Sequence, residues 1–176
     1  MLQGIQSFHN VAEGIIWPIF IFMIFSSIES VALLIVISSI ATIIFTYIIG
    51  KIKKDKRNQM MIIGSALVAV LWILRLVIEN EIFYYASVFF IGLAYILISL
   101  PLDSVLFEEG EAKDALAASA YRNTFSMFPR IFFYGFLFIM LDIFDISFIS
   151  ATVSMVLFLM FVYFFGVFKD PKIKNI

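Results

Sequence analysis

The segment AYRNTFSMFPRIFF places Arg122 and Arg130 in a chain of 176 residues that is 63% hydrophobic and 14% charged. Eight helical residues advance a chain by about 12 Å. If Arg122 lies at the edge of an apolar layer, Arg130 therefore lies deep inside it. A charge at that depth costs about 2.5–3.5 kcal/mol even on insertion scales, and it has to face other helices or a water-filled cavity. Pro129, directly before it, removes a helix hydrogen bond and favours a bend there. Arg130 thus leads as a solute-cavity or gating residue, with a structural arginine paired to a neighbouring helix as the alternative. Asp103, near the end of an earlier apolar run, could pair with Arg122 and latch two helix ends, while Arg122 could equally snorkel to the surface. Arg75 stands four residues before Glu79, the spacing of a local helical ion pair, which favours a structural role. Glu13 follows Asn10 by three, the spacing of an N-cap and a carboxylate at N3; proton coupling is the alternative. His9, the one histidine, is expected to be a bystander ahead of that helix.

Catalysis finds little support. The chain has no Cys, so a disulfide, a thiolate metal site and a Cys nucleophile are all excluded within it. HExxH, GxSxG and P-loop patterns are missing, and a lone His offers no nucleophile–base pair. Asp142 and Asp145 are close in sequence but sit at the edge of an apolar run, where acidic connections are common. No enzyme, cofactor or metal is expected. Nucleic-acid binding is not expected either, because the basic cluster is short and lacks interleaved aromatics.

The elements that would position these residues follow from composition. Soluble domains average roughly 45–50% apolar and about 25% charged residues, so this chain has too little polar surface for a water-soluble globule. Six apolar runs, 11–28, 31–50, 60–78, 82–106, 117–141 and 146–168, each approach the roughly 20 residues that a helical span needs. They read as six transmembrane helices of an all-α, polytopic integral membrane protein in one domain. The N-terminal segment has no Lys or Arg, so it lacks the basic region of a signal peptide, and the first run is read as a retained helix.

Charge placement orients the spans. Lys51, Lys53, Lys54, Lys56 and Arg57 crowd the loop 51–59; Lys113 and Arg122 flank the connection 107–117; Lys169, Lys172 and Lys174 follow the last run. The intervening connections hold Glu29, then Glu79 and Glu81, then Asp142 and Asp145. Six spans put every basic connection on one side. The positive-inside rule makes that side cytoplasmic, with both termini, and the location a multi-pass cell (plasma or inner) membrane. Tyr84 and Tyr85 then fall near the outer surface, and Tyr121 and Tyr163 near the inner one. The basic loop also suits contact with anionic lipid. The connection 107–117 is Ala-rich and acidic and reads as a short cytoplasmic helix or the first turns of the fifth span. Ser38, Thr42, Thr46 and Gly50 recur every four residues, a small-residue face for helix packing or for a moving interface. The Phe-rich SMFPRIFFYGFLF reads as lipid-facing and core bulk.

Six spans with a basic connection after the second resemble one half of a major facilitator superfamily transporter. GKIKKDKRNQ, beginning Gly50–Lys51, stands where that family carries its motif A. Gly50 matches; Asp55 falls one position late, Arg57 replaces the second glycine, and Asn58 and Gln59 replace a basic pair. NVAEGIIWPIFIF is similar to the opening of a first or seventh helix, and the two arginines of AYRNTFSMFPRIFF are spaced as in a fifth or eleventh. The resemblance covers nearly the whole chain and is greatest to a C-terminal half. It implies a 3+3 inverted repeat and alternating access for a small solute, with a second six-helix bundle supplied by a homodimer or by a separate half. A non-transporting membrane scaffold, or a fragment of a transporter, is the alternative.

Overall fold

The computed structural model describes residues 2–51, 56–112, 115–139 and 143–165, and every element among them is helical. Asp55, Lys53, Lys54, Lys113, Asp142 and the basic segment after 165 lie outside the described residues, as do the side chains of Tyr121 and Arg122. The elements are α1 (Leu2–Val11), a π-helical turn (Ala12–Ile16), α2 (Trp17–Phe25), α3 (Ile28–Ile49), α4 (Arg57–Val77), α5 (Glu81–Ala112), α6 (Ala115–Ile139) and α7 (Ile143–Phe165).

The first three form one continuous rod. In a regular α-helix the ring of Pro18 would strike the carbonyl of Gly14, four residues back. The π turn widens the helix just there, and the Trp17 N–H bonds to the Ala12 carbonyl, five residues back. The rod begins at Leu2 rather than at Val11, because Gln6, Ser7 and His9 are buried against the other helices and hydropathy alone does not register polar residues that face inward. It ends at Ser26, which adopts a left-handed conformation at φ 50° and bonds its N–H to the Phe22 carbonyl at 2.7 Å. Ser27 then caps α3, accepting from the Ser30 N–H, and donates to Glu29 at 2.5 Å. α5 continues to Ala112, so most of the connection 107–117 is the end of the fourth rod rather than the start of the fifth.

Among the described residues, five helices are long and apolar enough to cross a membrane: Gly4–Phe25, Ile28–Ile49, Arg57–Val77, Glu81–Ser104 and Ile143–Phe165. α6 has 25 residues, but its middle stretch carries Arg122, Asn123, Thr124, Ser126 and Arg130. The exterior is apolar: Ile28, Val77, Ile82 and Phe128 are each at least 73% exposed. The interior holds Gln6, Ser7, His9, Ser65, Arg75, Ser87, Ser147 and Ser154. The rest of the interior is hydrophobic, and it is the apolar exterior that departs from a protein shaped by water.

Packing follows a regular plan. The first rod touches α3, α6 and α7; α3 touches α5; α4 touches α5 and α7; α5 touches α6. Exchanging the first three rods with the last three leaves these neighbours unchanged, and a slighter α6–α7 contact is the one addition. Two glycines allow the closest approaches. A Cβ on Gly64 would lie 2.8 Å from the Ala94 carbonyl oxygen on α5, and one on Gly92 would lie 2.9 Å from the Ala41 Cβ on α3. The buried seam of α3 is Leu34, Ala41 and Ile49; half-buried Ser38 stands on it, whereas Thr42 and Thr46 are exposed beside it.

Candidate functional site

Two arginines lie between the helices in opposite circumstances. Arg75, near the end of α4, has a fully buried side chain. Its Nη1 and Nη2 donate to Glu13 Oε2 and Oε1 at 2.5 and 3.2 Å, and its Nε donates to Ser87 Oγ at 2.7 Å. Ser87 passes its own hydrogen to the Tyr84 carbonyl on α5. The guanidinium carbon lies 3.6 Å from the centre of the Trp17 ring and 4.8 Å from that of Trp72, so aromatic faces complete its surroundings. Trp72 Nε1 in turn donates to His9 Nδ1 at 3.0 Å, which leaves the imidazole proton on Nε2.

Three expectations change here. Arg75 does not pair with Glu79: α4 ends at Val77, and Ile78 is extended, so Glu79 has no helical turn on which to meet it. Glu13 is not a helix cap, because Asn10 and Glu13 sit within a rod that began at Leu2. His9 is not a bystander, being 1% exposed and bonded to Trp72. A signal for the Glu13–Arg75 pair was available: Glu13 and Arg75 are opposite charges within spans, and such charges tend to pair.

Arg130, on α6, faces a trough formed by two adjoining cavities, the first mainly polar and the second of mixed lining that includes Val88 and Ile91. One, of about 250 Å³, is lined by Gln6 and Asn10 of α1, Tyr95, Ser99 and Asp103 of α5, and Asn123, Ser126 and Arg130 of α6. The other, of about 380 Å³, shares Asn10, Tyr95 and Arg130 and adds Glu13, Gly14, Ser38 and Thr42. A third space of about 220 Å³ continues past Glu13 to Pro18 and Ser39. The walls thus come from the first rod, α3, α5 and α6, whereas α4 and α7 contribute nothing to them and stand behind. Arg130 makes no ion pair among the described residues, and its Nε is buried without a hydrogen-bond partner.

Of the remaining sequence-selected residues, Asp103 reaches the trough and has an interaction of its own. Its proposed pairing with Arg122 falls on a side chain outside the described residues. Gly50 ends α3, bonding its N–H to the Thr46 carbonyl at 2.9 Å, and Lys51 Nζ lies 3.9 Å over the Tyr47 ring. Arg57 makes a two-pronged pair with Glu108, at 3.1 and 2.9 Å, joining the start of α4 to the far end of α5. No group of three His, Asp or Glu side chains among the described residues could hold a metal ion.

No family model matches the chain, no curated protein matches it, and no solved structure matches it.

Proposed function

We propose that the chain is a six-helix membrane transport module, one half of a major-facilitator-type carrier, that moves a small solute by alternating access together with a second six-helix bundle. The observation that carries this reading is the trough itself. Unpartnered arginine nitrogen, two asparagines and several hydroxyls line one side of a bundle whose exterior is otherwise apolar. Hydrocarbon cannot cover such groups without a large cost, so that side calls for water, solute or another protein surface. A facing bundle would supply the second wall, on a second copy of this chain, on a separate chain or in a longer polypeptide. In this reading α6 is also a span, the fifth in chain order, with its polar residues turned to the trough. The exchange symmetry of the helix neighbours supports a 3+3 arrangement; because each set has three spans, the two sets cross the membrane in opposite senses. The basic loop after α3 supports a cytoplasmic position for that side.

Arg57 held by Glu108, where the motif A second glycine would stand, favours the competing reading of a fixed scaffold. Side-specific labelling separates the two. A single cysteine replacing Ser126, in a chain with no Cys of its own, is treated with a membrane-impermeant maleimide from either face of a reconstituted bilayer. Labelling from both faces is expected. No labelling, or labelling from one face alone, contradicts alternating access.

A further inference from the structure

We infer that the trough selects an anionic solute, a small molecule bearing a carboxylate or a comparable oxyanion, and that Arg130 is the residue that recognises it. This rests on the reading of the trough as a solute site. The charge balance of the walls is decisive. Glu13, the carboxylate bordering both the second and third cavities, has its two oxygens occupied by Arg75. Asp103, toward the other end, is engaged in a contact of its own. The guanidinium of Arg130, which borders both main cavities, makes no ion pair with a described residue.

A guanidinium offers a planar fork of donors and no acceptor, and its best ligand is a two-oxygen anion. Asn10 and Asn123 around it supply neutral donors and acceptors for the rest of a polar solute, and Ser126, whose hydrogen goes to the Asn123 carbonyl, adds an acceptor. Cavities of about 250 and 380 Å³ fit a small organic anion. A cation entering the same space would meet the Arg130 guanidinium, whereas an oxyanion would meet its fork of donors.

The test measures the charge preference of the trough without knowledge of the natural solute. A cysteine at Ser126, in purified and reconstituted protein, is reacted with an anionic sulfonatoethyl and a cationic trimethylammonioethyl methanethiosulfonate. Each rate is divided by that of a free thiol in solution. The corrected ratio is expected to favour the anionic reagent by roughly tenfold or more, as charged clefts concentrate counter-ions. It should fall to near unity in Arg130→Gln and survive in Arg130→Lys. Unchanged reaction of the Arg130→Gln protein with neutral methyl methanethiosulfonate shows that the trough is intact. Equal rates for the two reagents, or a ratio insensitive to Arg130, would overturn the anion assignment while leaving solute access standing. Absence of reaction with all three reagents would overturn access itself, and the anion assignment with it.

Discussion

Arg75 and Arg130 show what a polar group between apolar helices needs in order to be structural and what marks it as something else. The Arg75 guanidinium has a carboxylate, a hydroxyl and two indole faces, drawn from the first rod, α4 and α5. Among its neighbours the Ser87 hydrogen and the Trp72 N–H are satisfied, and the Trp17 indole N–H alone is buried without a partner. Arg130 has none of this: its Nε is buried and unpartnered, and its side chain borders open volume on two sides. A completed network fixes helices relative to one another. An uncompleted one has capacity left for a ligand. The seam where α4 meets the first rod and α5 is built in the first manner, and the trough between the first rod, α3, α5 and α6 in the second.

Removing the centre of the completed network should have the largest effect. Arg75→Gln leaves the Glu13 carboxylate facing Trp17 without a counter-charge, and breaking a buried pair from one side costs about 3–5 kcal/mol. Chemical or thermal unfolding in detergent measures it. A loss below about 1 kcal/mol would mean that water already supports Glu13, and the contrast between the two arginines would collapse. Trp72→Phe keeps a ring beside Arg75 and Phe148 but withdraws the hydrogen bond to His9. About 1 kcal/mol is expected. A much larger loss would place the indole N–H, and not the ion pair, at the centre of the seal.

The long apolar helices were legible because a run of about twenty apolar residues has few alternatives in an aqueous cell. The start of the first helix was not, because LQGIQSFHN hides its polar residues against α6 and α7 and so carries no apolar run to mark it. Arg130 could be singled out from its depth and from Pro129 alone, both local features. The partner of Arg75 could not be fixed by spacing: Glu13 lies 62 residues away, while Glu79 offered a nearby carboxylate that the end of α4 at Val77 takes out of reach. Local spacing proposes the nearest pair, and tertiary packing selects the one that burial requires. Glu13 was read as a cap for the same reason, since Asn10 followed by Glu at the third position signals a helix start only when no helix already runs through it.

The most direct measurement compares the unfolding stability of Arg130→Gln with that of Arg75→Gln in the same detergent. If Arg130 is held in readiness for a solute and contributes nothing to the fold, its replacement should leave stability within about 0.5 kcal/mol of the parent or raise it, while Arg75→Gln loses several. Equal losses in the two variants would make Arg130 a structural arginine like Arg75 and would contradict its assignment to the solute trough.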